Sequence, residues 1–442
     1  MERGTLVVRT LVLVDGEHHP PAVRAALDAI RLGGRDVVGA VFCGGAEKVD
    51  LDALDDAYGV PVVRAEDVCA ALAQAIDRFA PDAVLDMTDE PVLDPDDRFR
   101  LASVALARGV PFGGADFDLR PPTYARVLTK PSISVFATGK RTGKTAVASA
   151  LARHAAAHGR KPVIVAVGRG GPDPPRLIEA GTDLTADVLL ELSDAGQHAS
   201  SDYVEDAVTS GVTTIGCVRV GGGLAGATIT SNMAAAARMA EERPEDLVIL
   251  EGSGASIPEV AANTGVVIVP AHLGDAASAY LNPYRLLLAD LAVVTMAEQG
   301  SAAATTTVAI HRSAPTLEVL HVVFRPEPLV DVRGRKAFFC TTAPKDVGGV
   351  LKAHLESEHG CEVVGMTHHL SDRAGLRPDL EAAPDHDVLL VELKAAAVDV
   401  AARAAKARGT DVVFVNNTLL GTDIESAFGR VLERASSTRP GP

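Results

Sequence analysis

Short apolar runs rich in β-branched residues alternate with alanine-rich stretches along almost the whole chain. Each run is followed by a polar or glycine-rich loop and then by a stretch with helical spacing. This alternation is typical of parallel sheets that are covered by helices. The pattern therefore predicts an α/β protein made of three-layer, parallel-sheet domains.

The pattern divides into three blocks. Residues 1–125 begin with "TLVLVDGEHHPP" and are closed by the pair Pro121-Pro122, and residues 126–300 run from the strand "SISVFAT" to "LAVVTMAEQG". Residues 301–442 contain the strands "LEVLHVVFRP", "KAFFCTT" and "DVVFVNN". We expect an N-terminal α/β domain, a central domain with most of the glycine-rich strand ends, a C-terminal α/β domain, and a disordered end from Ser436.

The composition limits the classes of function. Of the 442 residues, 47% are hydrophobic but only 4% are aromatic, and the formal net charge is -16. An acidic chain does not favour a nucleic-acid or anionic-membrane surface, because both require a basic face. The five cysteines are odd in number and include no C-x-x-C pair, which favours reduced thiols over disulfides or zinc. No stretch reaches the roughly 18 apolar residues of a membrane span, so we expect a cytoplasmic protein without nucleic-acid or membrane partners.

A phosphate-binding loop is predicted at "TGKRTGKT", between a strand and an alanine-rich helix. The end of this segment fits G-x-x-x-x-G-K-[ST], although its first position is Thr138 instead of glycine. Backbone N–H groups of such a loop surround the phosphates, the lysine contacts the β and γ oxygens, and the hydroxyl binds Mg²⁺. We therefore expect a central P-loop domain with ATP and Mg²⁺ as cofactors, with these nucleotide-binding residues: Gly139, Lys140, Arg141, Thr142, Gly143, Lys144 and Thr145.

A second carboxylate is needed for the metal, and Glu251 is the candidate. It ends the apolar strand of "DLVILEGSGAS", where a glycine-rich turn begins. The carboxyl ends of parallel strands meet at one edge of a sheet, so Glu251 is expected to bind Mg²⁺ together with Thr145.

Two basic loops predict a site for a second anion. Arg169 lies in "GRGGPDPP" and Arg219 in "VRVGGGLAG", each after a strand of the central block. We expect both arginines to bind an anionic substrate, and His198 of "GQHASSDYVEDA" is a further candidate for this site. Lys144, Lys140 and Arg169 are the candidates for acting on the transferred phosphoryl group.

The N-terminal block offers a separate polar cluster. "VDGEHHPP" places Asp15, Glu17 and His18 after an apolar strand, and we expect these three residues to contact the substrate. A simple polar turn is an equally good interpretation of this segment.

Taken in order, "VDGEHHPP", the P-loop, "GRGGPDPP", "VRVGGG" and "VILEGSGAS" resemble the cyclic 2,3-diphosphoglycerate synthetase family. The resemblance implies an ATP-dependent ligase that closes a phosphoanhydride between the two phosphates of 2,3-diphosphoglycerate and releases ADP and phosphate. The strand that ends at Glu251 also resembles dethiobiotin synthetase, which implies a Mg²⁺ ligand. "KAFFCTTAPKDV" and "GMTHHLSD" resemble tetraacyldisaccharide kinases.

Three functions remain open from the sequence. The first is the ligase, with a small phosphorylated substrate and an oligomeric state that includes a homodimer among the options. The second is a small-molecule kinase of the phosphoglycerate or tetraacyldisaccharide type, which would leave the γ-phosphoryl on its product. The third is a P-loop switch ATPase, which would hydrolyse ATP in response to a protein partner.

Overall fold

The structure is a computed structural model that describes residues 7–196 and 198–437. Within these ranges the strands form three mostly parallel sheets with helices between the strands, as the α/β pattern predicted. The predicted disorder of the proline-rich end concerns residues that mostly lie outside these ranges. Within the same ranges, no helix combines the length and the apolarity needed to cross a membrane.

The first sheet lies in the N-terminal block, and its strand order is β3-β2-β1-β4-β5-β6. Neighbouring strands are parallel except for the last pair. The strands are β1 (Val8–Val14), β2 (Arg35–Phe42), β3 (Val62–Val63), β4 (Ala83–Asp86), β5 (Phe112–Gly113) and β6 (Asp118–Leu119). The helices between them are α1 (Pro20–Leu32), α2 (Leu54–Tyr58), α3 (Val68–Phe79) and α4 (Pro95–Ala107).

The central sheet has the order β11-β10-β8-β12-β7-β13-β14-β15, and β9 pairs with β10. Its strands are β7 (Ser132–Ala137), β8 (Pro162–Gly168), β9 (Arg176–Ile178), β10 (Thr213–Val220), β11 (Thr230–Ser231), β12 (Leu247–Glu251), β13 (Thr264–Pro270), β14 (Leu291–Thr295) and β15 (Glu318–His321). Its helices are α5 (Lys144–Ala157), α6 (Ala186–Asp194), α7 (Asp202–Ser210), α8 (Met233–Glu242), α9 (Asn282–Leu287) and α10 (Ala303–Ser313). Every residue of β7, β8, β12 and β13 is buried, which explains their continuous apolar sequences.

One strand differs from the sequence-based division into blocks. The run "LEVLH" was placed in the C-terminal block, but β15 pairs in parallel with β14 and so belongs to the central sheet. The chain changes sheets at Val322, about twenty residues beyond the predicted boundary at 300/301. An apolar run shows that a strand forms, but it does not show which sheet the strand joins.

The third sheet has the order β16-β20-β19-β17-β18, with β16 antiparallel to β20. Its strands are β16 (Val323–Pro328), β17 (Lys336–Cys340), β18 (Glu362–Thr367), β19 (Val388–Glu392) and β20 (Asp411–Leu420). The helices are α11 (Gly348–His359), α12 (Arg373–Glu381), α13 (Arg403–Arg408) and α14 (Ile424–Ser437).

The central sheet shares a hydrophobic core with each neighbour. Phe136 and Val267 lie in one cluster with Leu11 and Phe112 of the first sheet. On the other face, the side chains of β7 and α5 form one cluster with the third sheet and α14, and Phe428 is a fully buried member. Continuous apolar packing of this kind fixes the relative positions of the sheets.

Candidate active site

The loop between β7 and α5 has the conformation that a phosphate-binding loop needs. Gly143 precedes the helix with a φ of 89°, a left-handed conformation that favours glycine. The hydroxyl of Thr295, at the end of β14, donates a hydrogen bond of 2.7 Å to the Thr142 carbonyl and holds the loop in place. The free N–H groups of the first turn of α5 are available to bind an anion at this point.

The cations of the loop differ in their surroundings. Lys140 and Arg141 are exposed at the tip, whereas Lys144 is only 9% exposed at the start of α5. Burial lowers the pKa of Lys144, while the nearby carboxylates of Glu251 and Asp202 favour its charged form. Lys144 is thus a buried cation at the helix terminus, and Lys140 and Arg141 are free to contact a ligand from outside.

The predicted metal-binding pair is brought together. The Thr145 hydroxyl donates a hydrogen bond of 2.9 Å to Oε1 of Glu251 at the end of β12. Behind this pair, Asp206 of α7 accepts a hydrogen bond of 3.1 Å from Ser149. Glu251 Oε2 and Asp206 Oδ2 are both buried and have no hydrogen-bond donor from the described residues. Two such oxygens are what a divalent cation with oxygen ligands would satisfy.

The carboxyl groups beneath the loop hold protons unusually strongly. Burial raises the pKa of Asp206 and of Glu251, and these two groups lie close enough to share a proton. Burial also raises the pKa of Glu205 to about 8, against the attraction of Lys394. Asp202, on the same helix, adds further negative charge. The site therefore holds an excess of carboxyl groups away from water, and a bound cation would offset their negative charge.

A lysine from the third sheet reaches this cluster. Lys394 follows β19, is partly buried with 27% of its side chain exposed, and places its Nζ 3.2 Å from Oε1 of Glu205. Burial alone would lower its pKa, but the carboxylates of Glu205 and Glu392 outweigh burial and raise it. Phe324 of β16 also packs against Gly143. The carboxyl end of β19 and the start of β16 therefore face the P-loop.

The residues predicted for a second anion lie near one another but differ in availability. Arg169 is exposed after β8, and its charge acts on Lys144 and Arg219. The ring of His198 lies beside Gly170, next to Arg169. Arg219 is buried, and its guanidinium donates to the carbonyl of Ser253 at 2.8 Å. Arg219 thus supports the turn after Glu251, and Arg169 and His198 are the exposed members of the group.

Asp15, Glu17 and His18 form a local cluster at the end of β1. Asp15 accepts from the N–H groups of Glu17 (3.0 Å), His18 (3.1 Å) and Asp89 (2.9 Å). Burial raises the pKa of Asp15, but the hydrogen bonds from the Asp89 N–H group and from His18 outweigh burial and lower it. His18 Nδ1 lies 2.8 Å from the same carboxylate. The cluster borders a cavity of about 220 Å³ that is lined by residues of the first sheet and its helix α1: Val14, Asp15, His18, Ala22, Val23, Ala26 and Met87.

Lys394, Asp206 and Glu205 were not predicted from the sequence to belong to the site. The spacing of the two acids in the sequence was informative. Glu205 and Asp206 follow Asp202 at i+3 and i+4 and so share one face of a helix. The sequence around Lys394 carried a weaker signal. Lys394 lies two residues after Glu392, an acid that ends an apolar strand in "VLLVELK" as Glu251 does in "LVILEGS". The approach of the two sheets is a tertiary feature that neither pattern contains.

Comparisons with known proteins were consistent along the chain. Three family models match in order: the N-terminal domain of cyclic 2,3-diphosphoglycerate synthetase at residues 9–120, its P-loop domain at 132–323 and its C-terminal domain at 328–418. The chain belongs to the cyclic 2,3-diphosphoglycerate synthetase family. The family's P-loop domain includes β15, in agreement with the sheet pairing.

Similar family members come from bacteria and archaea. A cyclic 2,3-diphosphoglycerate synthetase of Rubrobacter xylanophilus is 43% identical over 98% of this chain and 99% of the relative. The synthetase of Methanothermus fervidus is 41% identical over 96% of this chain and 95% of its own, and that of Methanothermobacter thermautotrophicus is 41% identical over 96% of both. Membership therefore extends over nearly the whole chain, and the protein is a synthetase with a nucleotide-binding P-loop domain.

Proposed function

We propose that this protein is an ATP-dependent ligase that converts 2,3-diphosphoglycerate into cyclic 2,3-diphosphoglycerate, with release of ADP and phosphate. One observation carries the proposal: the P-loop lies over a buried carboxyl cluster, with Lys144 and Lys394 beside it. This arrangement suits chemistry in which several phosphates must be held together against their mutual repulsion. Family membership supplies the substrate class.

The first step is phosphoryl transfer. An oxygen of one substrate phosphate attacks the γ-phosphorus of ATP, the bond from that phosphorus to the bridging oxygen breaks, and ADP leaves. Lys144 and the N–H groups at the start of α5 stabilise the negative charge on the transferred group. The exposed Lys140 and Arg141 bind the outer oxygens of the nucleotide.

The second step closes the ring. An oxygen of the other substrate phosphate attacks the inner phosphorus of the new diphosphate, and inorganic phosphate leaves with the bridging oxygen. The product is an internal phosphoanhydride. Arg169 and His198 are the exposed side chains beside the P-loop that would hold the acceptor, while Arg219 holds the turn after Glu251.

Magnesium is the cation that the cluster fits. Thr145, Glu251 and Asp206 would hold it, because their oxygens are hard ligands and two of them are buried without a donor from the described residues. When bound, Mg²⁺ would neutralise charge on the phosphates. We infer a cytoplasmic location for the reaction, which all five cysteines, present as free thiols, support.

Incubation of the protein with ATP, Mg²⁺ and 2,3-diphosphoglycerate, followed by ³¹P NMR, tests the proposal. We expect an anhydride signal in the product and inorganic phosphate in amounts equal to ADP. A product that retains the γ-phosphoryl, with no free phosphate, would identify a kinase instead. Hydrolysis of ATP at the same rate without the substrate would identify a switch ATPase.

The acceptor site is tested by Arg169→Ala, with Arg219→Ala as the comparison. Arg169→Ala removes a charge-assisted contact that contributes about 1.5–3 kcal/mol, so the acceptor KM should rise about 10- to 100-fold with unchanged ATP binding. Arg219→Ala should instead weaken Mg²⁺ binding and lower the thermal stability, because the turn after Glu251 loses its support. Equal acceptor KM values in Arg169→Ala and the wild type would move the acceptor site elsewhere.

A further inference from the structure

Two histidines and a glutamate meet at the far end of the P-loop helix. His154 and His158 are four residues apart near the end of α5 and lie on one face of it, with ring centroids 4.3 Å apart. Glu425, in the first turn of α14, places Oε2 3.1 Å from His154 Nδ1. One nitrogen from each histidine and one oxygen of Glu425 all lie within 4.8 Å of one another.

The histidines are prepared for ligation. His158 Nδ1 lies 2.8 Å from the carbonyl of His154. A carbonyl only accepts hydrogen bonds, so Nδ1 carries the hydrogen and the lone pair of His158 is on Nε2. A backbone contact of this kind is the usual way that a protein orients a metal-binding histidine.

The surroundings of His154 hold its ring in place. His154 is 7% exposed, and its ring packs edge to face against Phe428 of α14, at a centroid distance of 5.7 Å. Nε2 of His154 is buried and without a partner among the described residues.

We propose that His154, His158 and Glu425 bind a divalent transition-metal ion such as Zn²⁺, which joins the last helix, α14, to the P-loop helix. Two imidazoles and one carboxylate are typical ligands of Zn²⁺, with water or another donor as the fourth. Mg²⁺ prefers oxygen ligands and does not suit this set. The site is separate from the phosphate site, since His154 lies ten residues after Lys144, about 15 Å along the helix.

The ligand atoms need only a small adjustment. Tetrahedral bonds of about 2.0–2.2 Å place neighbouring ligand atoms about 3.3–3.6 Å apart. His154 is held by its packing, but the Glu425 side chain is 80% exposed and His158 is also exposed. Rotation of the Glu425 side chain, with a small adjustment of the His158 ring about its Nδ1 hydrogen bond, can close the site without moving either helix.

Cobalt and zinc titrations test the proposal. The protein is treated with EDTA and dialysed, then titrated with Co²⁺ in excess Mg²⁺, which occupies the carboxyl cluster. We expect one Co²⁺ per chain with visible absorption bands of a tetrahedral site, displaced by Zn²⁺, and a rise in Tm on Zn²⁺ addition. His158→Ala and, independently, Glu425→Ala should weaken Co²⁺ binding at least about tenfold and remove the Tm rise.

His354→Ala is the matched control. His354 and His359 also form a ring contact, at 5.5 Å, but on α11, and their removal should leave Co²⁺ binding unchanged. Because His158 lies outside the phosphate site, ring closure by His158→Ala should proceed at the wild-type rate. Equal Co²⁺ affinity in the wild type and both site variants, or no stoichiometric binding by the wild type, would overturn the proposal and leave a simple contact between His154 and Glu425.

Discussion

Glu251 illustrates how a single carboxylate is prepared for a cation. One of its oxygens accepts from Thr145, and the other is buried without a donor from the described residues. The nearby carboxyl of Asp206 adds negative charge, which a proton or a cation must balance. A group in this state is stable only if it holds a proton or a metal ion.

Glu251→Gln should therefore weaken the binding of Mg²⁺ more than the binding of ATP. The amide keeps the shape of the side chain but loses the charge that holds the ion. We expect the Mg²⁺ concentration for half-maximal turnover to rise at least about tenfold, and ATP affinity measured without Mg²⁺ to stay within about twofold. Glu245→Gln is the control, since Glu245 is also buried but pairs with Arg243 away from the P-loop. An unchanged Mg²⁺ titration would remove Glu251 from the metal site.

Lys394→Met should reduce ring closure on the order of 10²-fold, because the site loses one of its fixed cations. The substitution also removes the partner of the buried Glu205, and this cost could unfold the protein. The double variant Lys394→Met/Glu205→Gln removes both ionisable groups, so it should fold at the wild-type Tm and remain slow. Lys406→Met is the control, because Lys406 pairs with Asp187 on the surface. A fast double variant would restrict Lys394 to a structural role.

At the scale of elements, both the central sheet and the third sheet contact the P-loop. β7 and α5 supply its backbone, Thr295 of β14 holds it, and Phe324 of β16 lies against Gly143. A Cβ at Gly143 would lie 2.2 Å from the Phe324 ring, so this position requires glycine for space as well as for its φ. The third sheet is thus part of the phosphate site.

Gly143→Ala separates these two requirements when it is compared with Gly159→Ala. Both glycines have left-handed φ, 89° and 79°, but a Cβ at Gly159 would meet no atom within 4 Å. Gly159→Ala should lose only about 1–2 kcal/mol of unfolding free energy. Gly143→Ala should lose more and should also weaken ATP binding, because Phe324 must move. Urea unfolding and ATP titration measure both quantities, and equal losses in the two variants would contradict the role of Phe324.

The sequence predicted the P-loop and Glu251 because each is encoded locally, by a glycine pattern and by an acid at a strand end. It did not predict Lys394, because the contact with Glu205 joins residues nearly two hundred positions apart. It assigned β15 to the wrong block for the same reason, since strand pairing depends on the whole sheet. Arg219 was expected to bind the substrate, but the sequence could not show that its guanidinium donates to the backbone carbonyls of Gly221 and Ser253.

At the scale of the whole molecule, the carboxyl cluster makes stability depend on pH. The pKa of Glu205 rises from 4.5 to about 8 on folding, so the folded chain binds more protons between these values. The resulting stabilisation is complete below about pH 4.5 and is lost as the pH rises through about 8. Without Mg²⁺, Tm should therefore fall between about pH 6.5 and about pH 8 and level off above it.

This pH window lies above the range in which the histidines with lowered pKa contribute. The histidines with lowered pKa, His154 and His354, change stability in the opposite direction, but they act below about pH 6.5. Glu205→Gln should flatten the fall in Tm, and saturating Mg²⁺ with ATP should stabilise the wild type most at the alkaline end. A Tm that stays constant over this window in the metal-free wild type would show that Glu205 is already ionised.

The position of α14 also affects the order in which the chain can fold during synthesis. This helix completes the apolar cover of α5, yet its last residue, Ser437, is synthesised 116 residues after His321, where the central sheet ends. At about 5–20 residues per second, that interval is about 6–23 s. Throughout it, the nascent P-loop helix has one apolar side uncovered. Chaperones that bind exposed apolar surface therefore have several seconds in which to bind this side of α5 before α14 covers it.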